Sequence, residues 1–173
     1  LLITFFLTVI FDLTVAIEVG LLIACVLFMK RVMETTDISV IKNEIDPNNE
    51  SDLEVHEEHL MVPEGVEVYE INGPYFFGIA TKFEEIMSEL GDRPKVRIIR
   101  MRKVPFIDST GIHNLTNLCE MSKKENIHIV LSGVNEKVHK VLEKAGFYDL
   151  LGEDNICPNI NVALEKAKAI VEK

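Results

Sequence analysis

The stretch VRIIRMRKVPFIDSTGIHNLTNLCEMSKKENIHIVL, residues 96–131, decides the fold class of this chain. Val96 to Met101 has the apolar, branched character of a strand, with Arg97 and Arg100 turned to a mixed face. Pro105-Phe106-Ile107-Asp108-Ser109-Thr110-Gly111 is a loop that opens a helix, because Ile112, Leu115, Leu118 and Cys119 then fall on one side at helical spacing. Ile127 to Leu131 is a nearly continuous apolar run, the pattern of a strand buried on both faces. A strand, a helix and another strand in that order form the repeating unit of an α/β sheet.

The pattern extends in both directions. Towards the N-terminus, Ile79, Phe83, Ile86, Met87 and Leu90 predict an amphipathic helix, closed by Gly91 and Pro94. Before it, Val66 to Ile71 and Tyr75 to Gly78 read as two strands around the turn Asn72-Gly73-Pro74, which predicts a hairpin. Towards the C-terminus, Asn135 is followed by a short helix that gathers Val138, Val141, Leu142 and Ala145, with Gly146 as its stop. Phe147 to Leu151 is expected to end in a last short strand, and Asn161 to Val171 to form a helix with Leu164, Ala167 and Val171 inward. The alternation implies an α/β domain whose central sheet is covered by helices.

Upstream of this domain the composition shifts twice. Glu34 to Glu70 carries twelve acidic residues against the single basic Lys42, and Asp46-Pro47-Asn48-Asn49 is turn chemistry, so most of residues 34–62 reads as an extended acidic linker. Leu1 to Met29 contains only two charged side chains, Asp12 and Glu18. Such a block belongs in lipid or in a very apolar core, since about 20 mostly apolar residues span a bilayer. Phe11-Asp12-Leu13-Thr14 interrupts the run, which predicts one helix ending near Phe11 and a second from about Val15 to Met29, spanning or re-entrant. Lys30-Arg31 closes the block, and basic flanks favour the cytoplasmic side. Leu1, with neither a methionine nor a basic segment before the apolar block, reads as a cut made in a longer protein.

The net charge of −10 over 173 residues, with no cluster of Lys and Arg, argues against nucleic acid as partner. Cys25, Cys119 and Cys157 are widely separated and fit a reduced compartment; neither they nor the five histidines show the spacing of a metal site. No nucleophile elbow, P-loop or dinucleotide fingerprint is present, so an enzyme has no constellation to support it and no cofactor is expected.

Pro63-Glu64-Gly65-Val66-Glu67-Val68-Tyr69, Gly73-Pro74-Tyr75-Phe76-Phe77-Gly78, Asp108-Ser109-Thr110-Gly111 and Leu131-Ser132-Gly133-Val134-Asn135 together resemble the STAS domain of SulP-type transporters. Phe11 to Gly20 resembles the last membrane hairpin of the same family. The resemblance implies a terminal transmembrane helix or hairpin at residues 1–33 and a STAS domain, with its mixed sheet covered by helices, at residues 63–173. It implies the C-terminal part of a homodimeric secondary transporter for sulfate, bicarbonate or dicarboxylates, multi-pass in the cell (inner) membrane with STAS in the cytoplasm. Its expected partners are membrane lipid, the transmembrane domain upstream in the same chain and a second copy; the substrate site belongs to that upstream domain. The rival expectation is a soluble phosphorylation switch like the anti-sigma factor antagonists.

The candidate site residues are few. Asp108-Ser109-Thr110-Gly111 is the STAS signature loop; Asp108 or Ser109 is suited to cap the helix, while Gly111 lets the first turn approach its neighbours. The resemblance to free-standing STAS proteins makes Thr110, and after it Ser109, the matching phospho-acceptor. Asp12 and Glu18 lie in or beside the membrane, where an ionisable side chain is a functional candidate. For Asp12, capping the second helix at the water interface is the favoured reading; Glu18 is open between a functional role and facing the protein interior or a partner subunit.

Overall fold

A computed structural model describes residues 2–10, 12–34, 37–41, 44–45, 60–76 and 93–172. Two compact units divide the chain, Leu1–Thr35 and Thr36–Lys173.

The first unit holds α1 (Leu2–Ile10) and α2 (Leu13–Glu34). The break falls at Asp12, whose carbonyl accepts from the Ala16 N–H at 3.1 Å and whose Oδ1 accepts from the Leu13 N–H at 2.6 Å. A carboxylate on these first N–H groups is favourable, because the helix N-terminus carries partial positive charge. The 22 residues of α2 extend for about 33 Å, close to the thickness of a bilayer's hydrocarbon core. Leu21, Leu22, Val26, Leu27 and Phe28 are all exposed, so the helix is apolar around its circumference rather than along one stripe. Leu13–Arg31 is long and apolar enough to cross a membrane.

The second unit is built on a five-stranded sheet in the order β1 (Asp37–Ile41), β4 (Val66–Asn72), β5 (Val96–Arg100), β6 (His128–Ser132), β7 (Ile156–Cys157). The strand β1 is antiparallel to β4, and β4, β5, β6 and β7 run parallel. Two further short strands, β2 (Glu44–Ile45) and β3 (Leu60–Met61), pair with each other. Central β5 is buried at every position, as a parallel strand with both faces covered should be. On one face, α3 (Ser109–Lys124), α4 (Glu136–Lys144) and α5 (Phe147–Leu151) enclose Tyr69, Ile71, Ile99, Leu115, Leu131 and Leu142. On the other, α6 (Ile160–Val171) lays Ile160, Ala163, Leu164 and Ala167 over Val68, Ile98 and Val130. Alternate residues of each strand therefore feed two separate cores.

Five expectations need correction. Val66 to Ile71 does not pair with Tyr75 onwards as a hairpin: both edges of β4 are taken, by β1 and β5, and Tyr75 makes an isolated parallel bridge to Ile107. The stretch expected as linker, residues 34–62, contributes the edge strand β1, with Ile38 buried, so the domain begins before residue 63. Phe147 to Leu151 is helical, because Phe147 and Tyr148 turn into the core from a helix started at left-handed Gly146 (φ 71°), and the last strand is Ile156–Cys157. Arg97 and Arg100 do not share a face; three positions apart on a strand, they point to opposite sides, and both are buried. Val141 and Ala145, expected inward on α4, are exposed, whereas Val138 and Leu142 are buried. The helix expected from Ile79 to Leu90 and the segment Asp46 to His59 lie outside the described residues.

Candidate functional site

The signature loop runs from the end of β5 to the start of α3. Met101 N–H bonds the Ser132 carbonyl at 2.8 Å and Val104 N–H bonds the Met101 carbonyl at 3.0 Å. The Asn135 side chain donates to the Val104 carbonyl and accepts from the Lys137 and Val138 N–H groups at 3.0 Å, so one amide braces the loop and caps α4. Tyr75 holds the other side: its N–H bonds Phe106 O at 3.1 Å, and its carbonyl accepts from Asp108 N–H at 3.4 Å.

Asp108 is extended (φ −97°, ψ 176°), and its Oδ1 accepts from the Gly111 N–H at 2.6 Å, the geometry of an N-cap. A cap of this kind is worth about 1 kcal/mol. Gly111 is buried, and a Cβ there would lie 2.5 Å from Tyr75 O and 2.9 Å from Ile107 Cγ1. Tyr75, Asp108 and Gly111 thus lock the helix start against the bridge between Tyr75 and Ile107. Between them, Ser109 is exposed and Thr110 half-buried, so Ser109 offers the more accessible hydroxyl. The two carboxylates of the apolar block are in the other unit: Asp12 starts α2 and Glu18 is exposed on it.

Sequence reasoning missed the buried polar residues of the sheet. Glu70, Arg100 and Ser132 are direct neighbours across β4, β5 and β6. Arg100 Nη1 approaches Glu70 Oε1 at 3.0 Å, with the two side chains 8% and 13% exposed. On the opposite face Tyr69 donates to Glu67 Oε2 at 2.6 Å, and Arg97 Nη1 donates to Ser122 Oγ at 3.4 Å. Burial, reinforced by Glu67, pushes the Tyr69 phenol well up, so it stays a neutral donor. Burial likewise pushes the Cys119 thiol up to about 12, with Glu120 adding to it, and raises Cys157, so neither is activated as a thiolate. The available signal was a charged residue inside an apolar strand, at Arg97 and Arg100; its partners depend on register.

A parallel sheet with this capped loop after its second parallel strand defines a class, and the family model for the STAS domain matches residues 59–163. The chain belongs to the STAS domain family, and its STAS domain is homologous to those of SulP sulfate transporters. It is 43% identical to a sulfate transporter family protein from Wolinella succinogenes, covering 66% of this chain and 93% of that one with a TM-score of 0.63. It is 37% identical to the SulP transporter STAS domain from Vibrio cholerae, covering 65% and 88% with a TM-score of 0.58. Sulfate transporter 1.2 of Arabidopsis thaliana is 29% identical over 87% of this chain and 25% of its own length. The chain spans about a quarter of the curated relatives it matches. In fold alone it resembles murine Slc26a9, an anion transporter, over 97% of its length (18% identity, TM-score 0.72), and an anti-sigma factor antagonist from Thermotoga maritima (19%, TM-score 0.56).

Proposed function

We propose that this chain is the membrane anchor and cytoplasmic STAS regulatory and assembly domain of a secondary anion transporter, and not an enzyme. The observation that carries the reading is α2, a helix of bilayer length that is apolar on every side and precedes a domain homologous to SulP STAS domains. A helix with no polar face is at home in lipid or among other membrane helices. Arg31 in its last turn, beside Lys30, favours a cytoplasmic end, which puts the STAS domain inside the cell at the inner membrane. Residues 1–33 then contact lipid and the upstream transmembrane domain of the same polypeptide, and the transporter works as a homodimer. Of the sulfate, bicarbonate and dicarboxylate classes, the names of the relatives favour sulfate.

The STAS domain acts on the pore by conformation, with the Asp108 to Gly111 loop as its regulatory element. Ser109 and Thr110 sit at the N-terminus of α3, where a phosphate would meet favourable backbone N–H groups and the unfavourable charge of Asp108. The soluble antagonist-like switch is the weaker alternative, because it leaves the apolar circumference of α2 without a role. In the whole transporter that carries this segment, removing residues 36–173 is expected to reduce radiolabelled sulfate uptake to background while the membrane part still inserts. Uptake at the intact level would overturn the regulatory and assembly role.

A further inference from the structure

The chain contains a donor-lined cleft that neither the anchor nor the signature loop uses. It lies at the C-terminal end of the parallel strands and has a volume of about 400 Å³, with Arg100, Arg102, Ser132, Gly133, Asn159 and Ile160 in its wall. This is the edge at which open α/β sheets present loops and helix ends to ligands. Arg100 and Ser132 are the last residues of β5 and β6 and occupy one cross-strand row, so their side chains leave the sheet on the same face, side by side.

Ser132 is 0% exposed, and its Oγ has no hydrogen-bond partner among the described residues. Buried hydroxyls are nearly always paired, so one unpaired among the described residues and lining a cleft has room for an acceptor. Three further features have the same polarity. Arg100 presents a guanidinium whose Nη1 lies 3.0 Å from Glu70 Oε1, and a guanidinium carries five N–H donors. The 12-residue α6 points its N-terminus at the cleft, with Asn159 capping Val162 N–H at 3.0 Å, and the N–H groups of Ile160 and Asn161 have no acceptor within the helix. Arg102 stands exposed at the rim. The cleft therefore offers donors and positive charge, and Glu70, the carboxylate nearest in the row, is turned to Arg100 and is not in the wall.

We propose that this cleft binds a tetrahedral oxyanion, sulfate or phosphate, held by Ser132 Oγ, the Arg100 guanidinium and the first turn of α6. The site lies within the STAS unit, so it does not depend on the transport reading and can fail without it. The test is saturable binding of radiolabelled sulfate and of radiolabelled phosphate to the 173-residue chain in detergent micelles, at fixed ionic strength set with sodium chloride. One equivalent is expected to bind. Ser132→Ala is expected to weaken it about ten-fold or more, by removing a hydrogen bond to a charged group. The same substitution is expected to leave the melting temperature in chloride unchanged or higher, because the hydroxyl it removes has no partner among the described residues. Arg102→Glu, at an exposed position on the rim, is expected to weaken binding. ADP that competes more tightly than phosphate would assign the site to the phosphate of a nucleotide, and ADP that competes no better would assign it to the free anion. Absence of saturable binding of either anion, unchanged affinity in both variants, or a lower melting temperature of Ser132→Ala in chloride would each overturn the proposal.

Discussion

Gly111→Ala is expected to destabilise the STAS domain by about 1–3 kcal/mol, the usual cost of forcing an extra methyl into a packed site. The substitution looks benign from sequence, because alanine favours helix over glycine by about 1 kcal/mol. Here the methyl carbon would lie 2.5 Å from a backbone carbonyl oxygen, that of Tyr75, and 2.9 Å from Ile107 Cγ1. Neither neighbour can turn away cheaply. Tyr75 O accepts from Asp108 N–H, and the Tyr75 to Ile107 bridge ties two segments together. The first turn of α3 must lift, loosening the Asp108 cap. Thermal unfolding of the intact chain in micelles checks this, with a drop in melting temperature of several degrees expected; for a domain of this size 1 kcal/mol corresponds to roughly 4 °C. A melting temperature equal to or above that of the wild type would mean that the turn and the Tyr75 strand are not packed as described.

Arg100→Met carries the second large effect, about 3–5 kcal/mol, the cost of removing one partner of a buried ion pair. Methionine replaces much of the arginine stem's volume, so the loss comes chiefly from the Glu70 carboxylate, only 13% exposed, left without its counter-charge. The double substitution Glu70→Gln with Arg100→Met is therefore expected to recover most of the loss. Urea unfolding of both variants measures the difference. Equal stability of single and double variants would show that Glu70 is not held by Arg100 and that solvent or another group satisfies it.

Much of the fold was legible in residues 96–131. Asp108 reads as a cap because a short carboxylate precedes a helical apolar period, and the structure places its Oδ1 on Gly111 N–H. The strands β5 and β6 and the helices α3 and α6 fall within a residue or two of an apolar run or period whose end is marked by Gly, Pro, Asn or Asp. What could not be read depends on contacts distant in sequence. The strand β1, Asp37-Ile38-Ser39-Val40-Ile41, is short and sits among acidic residues, and only its antiparallel partner β4 makes it a strand. Asn72-Gly73-Pro74 has the composition of a hairpin turn, yet the chain after Gly73 (φ 119°) passes to Ile107 because β4 has no free edge. Phe147 to Leu151 is apolar enough for a strand, and tertiary packing of Phe147 and Tyr148 makes it a helix instead. The row Glu70, Arg100 and Ser132 is invisible without register, since nothing local says that positions 70, 100 and 132 are neighbours. The signature loop, being local, was visible; the donor-lined cleft was not.

Flotation on a density gradient with phospholipid vesicles distinguishes a lipid-embedded anchor joined to a STAS domain from a wholly water-borne chain. Two forms are compared, residues 1–173 and residues 36–173, the second beginning at Thr36 so that β1 is retained. The expected result is that the long form rises with the vesicles, while the short form stays in the dense fraction with the circular dichroism of a folded α/β domain. A long form that remains in the dense fraction as a folded, detergent-free monomer would contradict the account, because α2 would then be buried by protein rather than by lipid.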